Sequence, residues 1–117
     1  KVTFIENYPE TVKILKKNIN DLNCEKKSQI IEEDIFKIRS LNSLHKEKFE
    51  VIFLDPPYKE KKLNHLFKDI IYLKLLKKNG LIIMHRNKKD REIYPKEFKI
   101  LKTKTYGISK IIFGLIA

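Results

Sequence analysis

Apolar residues are distributed along this chain of 117 residues in short blocks whose period changes from one block to the next. Residues 2–6, Val2-Thr3-Phe4-Ile5-Glu6, predict a strand ending at Glu6. Pro9 suits a first helical turn, and Val12, Leu15, Ile19 and Leu22 recur at three- and four-residue spacing, which predicts a helix. Residues 29–33 predict a second short strand, and residues 35–41 a weak helix. Residues 50–54 predict a third strand, with Val51-Ile52-Phe53-Leu54 continuous rather than alternating, as expected where both faces of a parallel sheet are covered. Leu63, Leu66, Phe67, Ile70, Ile71 and Leu75 mark an amphipathic helix, with Asn79-Gly80 as its predicted stop. A strand over 81–85 follows, and residues 98–105 and 109–116 predict an antiparallel pair joined near Gly107. Strands alternating with helices predict a doubly wound α/β sheet.

The chemistry is concentrated in Asp55-Pro56-Pro57-Tyr58, directly after the third strand. Two prolines must stop the ladder, because neither can donate an N–H. Asp55 is thereby placed at the carboxyl end of a strand, where open α/β sheets keep their ligand crevice. A carboxylate, prolines with free carbonyls and an aromatic ring suit the grip of an exocyclic amine on a flat base. Such an amine is a poor nucleophile, since its lone pair is delocalised into the ring. A carboxylate and the Pro56 carbonyl, each accepting one N–H, would orient it and favour the charge that develops as it attacks. Tyr58 would offer a face on which an extruded base stacks. The bland alternative is a strand-to-loop stop with a surface tyrosine.

Charge adds a partner. The net charge is +11, and 23 of the 26 basic residues are lysine. An A·T-rich coding genome also favours lysine, so placement says more than the total. Lys59, Lys61 and Lys62 follow the motif, and Arg86, Lys88, Lys89 and Arg91 follow the strand over 81–85. If both strands are parallel, both clusters share the rim with Asp55, which favours an approaching phosphate backbone. Cys24 is the sole cysteine, so no internal disulfide forms and a reducing cytoplasm is the natural setting. His45, His65 and His85 lack metal-ligand spacing, and no metal site is expected. No apolar stretch approaches the ~18 residues of a membrane span.

The motif after a hydrophobic strand resembles that of the S-adenosylmethionine-dependent amino-methyltransferases. The order and spacing of Lys1-Val2-Thr3-Phe4-Ile5-Glu6, Ile30-Ile31-Glu32-Glu33-Asp34-Ile35-Phe36, Asp55 to Tyr58 and Tyr106-Gly107 resemble the bacterial 16S ribosomal RNA guanine-N2-methyltransferase family. The resemblance implies a class I, Rossmann-like doubly wound sheet, mostly parallel, with a carboxy-terminal antiparallel hairpin. It implies S-adenosylmethionine as cofactor and ribosomal RNA or the small ribosomal subunit as partner, for a monomer. Asp55, Pro56, Pro57 and Tyr58 would be catalytic, and Lys59, Lys61, Lys62 and Arg86 would contact nucleic acid. Glu6, with Asn7 beside it, would accept from the ribose hydroxyls. Asp34 would sit by the adenine amine, with the Ile35 N–H near the ring and Asp55 also lining the cofactor. By themselves, Glu6 could equally be a solvated strand end and Asp34 a helix cap.

Two departures from that family carry expectations. Its members usually have an acidic residue where this chain has His85-Arg86. The chain also begins, without methionine, at what resembles the second strand of the fold. Residues 1–117 are therefore expected to be the carboxy-terminal portion of one methyltransferase domain, with a gap at the centre of the sheet or a segment from elsewhere filling it. Alone they should bind the cofactor poorly. An adenine-N6 methyltransferase on DNA or RNA shares the motif, and a non-catalytic basic RNA-binding module is the reading from another class.

Overall fold

The computed structural model describes residues 1–37, 41–57 and 62–117. The chain divides into two compact units, Lys1–Leu41 and Asn42–Ala117.

In the first unit, strands β1 (Val2–Ile5) and β2 (Ser28–Ile31) pair in parallel, with Val2 opposite Ser28 and Ile5 opposite Ile31. The Glu6 N–H adds one further bond, 3.1 Å to the Ile31 carbonyl. Parallel neighbours need a crossover, and helix α1 (Pro9–Asp21) supplies it. Pro9 opens the helix, where a missing N–H is no loss. The helix closes on Asn23, at φ 55°, with the Asn23 N–H donating to Asn20 and the Cys24 N–H to Ile19. This pair of bonds is the Schellman termination, and asparagine tolerates its left-handed position. Lys16 of α1 reaches Glu32, just beyond β2, at 3.5 Å. The weak helix expected over 35–41 begins as a turn. Asp34 accepts the Phe36 N–H on Oδ1 at 2.9 Å and the Lys37 N–H on its carbonyl at 3.1 Å. A short acidic side chain thus takes donors a helix would use. Residues 38–40 of that segment lie outside the described residues.

The second unit holds β3 (Phe49–Leu54), α2 (Leu63–Tyr72), β4 (Leu76–Asn87), β5 (Phe98–Tyr106) and β6 (Ser109–Ile116), in the sheet order β3-β4-β6-β5. β3 and β4 are parallel, and β4–β6 and β6–β5 are antiparallel. Gly107, at φ 58°, makes the tight turn between β5 and β6. The buried residues of α2 are Leu63, Leu66, Phe67 and Ile70, spaced as one helical stripe. The Phe67 ring lies 4.7 Å from Phe98 and 5.5 Å from Tyr94, which seats α2 on the sheet face carrying Ile82, Met84 and Ile112. Gly114 makes room for Phe98: a Cβ there would come within 2.3 Å of the ring.

Two expectations change here. The helix does not run to Asn79-Gly80. It ends at Lys74, at φ 52°, with the Lys74 N–H on Ile71 and the Leu75 N–H on Ile70. Leu75 and Ile70 are both buried, which supplies the apolar contact that goes with this termination. Lys48 Nζ also donates to the Leu73 and Lys74 carbonyls, a cation at the negative end of the helix. Asn79, at φ 64°, belongs instead to a bulge in β4, across which the register jumps from Phe49↔Leu76 to Val51↔Leu81.

The second change concerns β3, which is not covered on both faces. Val51 is 53% and Phe53 59% exposed, while Leu54 is buried. Among the described residues β3 pairs with β4 alone. The α/β Rossmann-like arrangement is present, with a mixed sheet that ends in a carboxy-terminal antiparallel hairpin. No described helix is long and apolar enough to cross a membrane.

Candidate active site

Asp55 follows the last residue of β3, and the register Leu54↔Met84 sets residues 55 and 56 beside 85 and 86 of β4. Pro56 and Pro57 cannot extend the ladder through their nitrogens, so β4 reaches them with side chains. The His85 Nδ1 lies 3.0 Å from Asp55 Oδ1. The Arg86 Nη1 donates to the Pro56 carbonyl at 3.3 Å and to the Pro57 carbonyl at 3.2 Å. The prolyl carbonyls are therefore not free, as the sequence suggested. Each keeps a second lone pair for another donor.

Consecutive strand residues point to opposite faces, and this separates the two grips. Arg86 shares the core face with Ile82 and Met84 and is 1% exposed. Its charge is met by Glu92, bonded through Nη2, and by Asp90, whose Oδ2 stands 3.3 Å from Nε. The Tyr94 hydroxyl donates to Glu92 Oε2 at 3.2 Å, and Lys110 Nζ to the Asp90 carbonyl at 2.8 Å. Burial, and then the Glu92 charge, push the Tyr94 hydroxyl well above its ordinary value. Placing Arg86 among the nucleic-acid contacts is thus corrected: its guanidinium faces inward and holds the motif loop. Alternation puts 82, 84 and 86 on one face, but Leu81 to Met84 are all apolar, so the sequence alone does not say which face is the core. Asp90 and Glu92, four and six residues on, were overlooked as its partners.

His85 lies on the other face, with Leu81 and Ile83, opposite the exposed Val51 and Phe53. Its side chain is 27% exposed and that of Asp55 54%. Lys62 is exposed just before α2, and Lys88, Lys89 and Arg91 are exposed after β4. Tyr58, Lys59 and Lys61 lie outside the described residues.

The other predicted acids belong to the first unit. Glu6 and Asp34 stand beyond the carboxyl ends of the adjacent parallel strands β1 and β2. Glu6 Oε1 accepts the N–H groups of Asn7 at 3.1 Å and Tyr8 at 3.0 Å, which turns the side chain back over the strand end and fixes its direction. Asp34 spends Oδ1 on the Phe36 N–H, so it does cap a local turn, with Ile35 held inside that turn. Two anchored carboxylates on one rim of a parallel pair fit the hydroxyls and amine of a nucleoside.

The family model described as "Conserved hypothetical protein 95" matches residues 1–114. The ribosomal RNA small subunit methyltransferase D of Haemophilus influenzae is 32% identical over 111 residues, 92% of this chain and 56% of the relative. That of Buchnera aphidicola is 31% identical over 105 residues, 87% of this chain and 52% of the relative. The chain thus spans a little over half the length of these relatives. The crystal structure of a candidate methylase from Haemophilus influenzae superposes with a TM-score of 0.76 at 28% identity, covering 97% of this chain and 71% of that one. A conserved hypothetical protein from Streptococcus pyogenes gives 0.79 at 21% identity, covering 98% and 71%, and bears on the fold alone. The chain belongs to the conserved hypothetical protein 95 family, and its fold is that of the class I methyltransferases.

Proposed function

We propose that the protein containing this chain transfers a methyl group from S-adenosylmethionine to an exocyclic amine of a nucleic-acid base, with the N2 amine of a guanine in small-subunit ribosomal RNA as its target. One observation supports this above the others: the Asp55-Pro56-Pro57 loop is gripped through its side chain by His85 and through its carbonyls by Arg86. A bare strand-to-loop stop has no need of either. The two relatives named above carry the name of a ribosomal RNA methyltransferase.

In this reading Asp55 accepts one N–H of the substrate amine and the Pro56 carbonyl the other. The base is held with its nitrogen lone pair turned towards the methyl group. Acceptors already in place need no reorganisation as positive charge develops on the nitrogen. The half-exposed Asp55 carboxylate then gives the released proton a path to solvent. Tyr58 stacks on the extruded base. Glu6 holds the ribose hydroxyls of the cofactor and Asp34, with the Ile35 N–H, its adenine. When bound, S-adenosylmethionine supplies the electrophilic methyl group. Lys59, Lys61 and Lys62 meet phosphates beside the motif. The two units are then parts of one methyltransferase domain.

The experiment is mass analysis of ribosomal RNA nucleosides from a strain lacking the gene, with and without the gene restored. Loss and return of N2-methylguanosine in small-subunit RNA is the expected result. Loss of N6-methyladenosine would move the substrate to adenine, and unchanged nucleosides would remove the enzymatic reading.

A further inference from the structure

A carboxylate on a loop after a strand rotates readily about its Cβ–Cγ bond, and Asp55 is 54% exposed. The grip of Arg86 acts on the Pro56 and Pro57 carbonyls and leaves the Asp55 side chain unconstrained. His85 does constrain it. An ionised carboxylate only accepts hydrogen bonds, so the proton on the 3.0 Å line between His85 Nδ1 and Asp55 Oδ1 belongs to the imidazole. The same donor persists when the ring is protonated. Parallel register explains why these two side chains meet: Phe53 pairs with Ile83, and the next residues on that face are Asp55 and His85.

We propose that His85 is a positioning residue for Asp55: it donates Nδ1–H to Oδ1 and so turns Oδ2 towards the substrate amine. The inference rests on the reading of Asp55 as the acceptor of that amine. It assigns a role to the first residue of His85-Arg86, the pair at which this chain departs from the acidic residue expected by resemblance. Its signature is a loss in turnover with substrate and cofactor binding kept, because His85 orients the acceptor and is not needed to hold either ligand.

The test is steady-state methyl transfer by the full-length protein on small-subunit ribosomal RNA, for wild type, Asp55→Ala, His85→Ala, His85→Asn and His85→Gln. An asparagine amide places a donor close to where Nδ1 stands, whereas glutamine carries its donor one bond further out. His85→Ala should lower kcat about tenfold or more, the scale on which misplaced reacting groups act, with KM for cofactor and RNA unchanged. His85→Asn should recover most of that loss and His85→Gln should not. If His85→Ala fails to fold, the asparagine–glutamine comparison decides alone, and equal activity of those two overturns the proposal. Wild-type turnover by His85→Ala also overturns it. Nitrogen-15 spectra of neutral His85 give a second readout: a proton on Nδ1 supports the proposal, and a proton on Nε2 alone rejects it. Full activity of Asp55→Ala is a separate outcome, which would remove the assigned role of Asp55 itself and His85 with it.

Discussion

Arg86 Nη1 lies 3.3 Å from the Pro56 carbonyl oxygen, so a buried guanidinium carried by β4 holds the loop that follows β3. Its partners Asp90 and Glu92 come from the loop after β4, and all three charges are needed together. Arg86→Met leaves two carboxylates without their cation, and losing one member of a buried ionic group costs about 3–5 kcal/mol. Urea unfolding of the full-length protein should show this loss. Arg86→Met combined with Asp90→Asn and Glu92→Gln should recover part of it. Arg86→Lys should not, since a single ammonium cannot span both carbonyls and both carboxylates.

Asp55→Asn and Asp55→Ala should both remove most methyl transfer by the full-length protein while leaving cofactor affinity close to wild type. Loss of one preorganised hydrogen-bonding group at a reacting centre lowers the rate ~10²-fold or more. Single-turnover transfer together with calorimetric titration separates the two quantities. Near-normal turnover in Asp55→Ala would end the catalytic assignment.

Neutralising Lys59, Lys61 and Lys62 together should weaken RNA binding and flatten its salt dependence, with the logarithmic slope falling by roughly one for each phosphate that no longer meets a cation. The methylated base should stay the same, because phosphate contacts position a nucleic acid without reading it. A slope equal to that of wild type would return these lysines to an ordinary solvated surface.

Tyr94 carries a pH dependence whose sign follows from its surroundings. Burial and the Glu92 carboxylate raise its hydroxyl above the ordinary value of 10.0, so the folded chain keeps this proton after the unfolded chain has lost it. The stabilisation is whole below pH 10.0 and is lost as the pH climbs towards the raised folded value. Wild type should therefore lose stability more steeply than Tyr94→Phe above about pH 10. Denaturant midpoints for both proteins across that range test it, and parallel curves would show that Tyr94 ionises equally in both states.

Gly114→Ala should destabilise the second unit by about 1–3 kcal/mol, the usual cost of forcing extra volume into a packed site. The added Cβ would fall 2.3 Å from Phe98 Cε2 and 2.8 Å from the Lys99 carbonyl oxygen, so either the ring or the β5–β6 ladder must shift. Gly114→Ala combined with Phe98→Leu should recover part of the loss, as read by thermal unfolding.

Local order was legible in the sequence wherever a segment's own residues decide it. Spacing of Val12, Leu15 and Ile19 places α1, the stripe from Leu63 to Ile70 places α2, and Gly107 places the hairpin turn, because propensity and period act within a few residues. The stop of α2 was misplaced for the same reason. Asn79-Gly80 is a genuine left-handed signal, but lysine at 74 took the helix terminus once Leu75 and Ile70 could bury together. Asp55 could be singled out because two prolines after an apolar run constrain the backbone without help from any neighbour. What holds Asp55 in place could not. His85 lies 30 residues away along the chain, and the basic Arg86 resembles a surface charge until its face of β4 is known. Only the parallel register of β3 on β4 decides that 85 meets 55, and only the packing of α2 on one face of the sheet decides that 86 turns inward; both are long-range, and no local pattern encodes them.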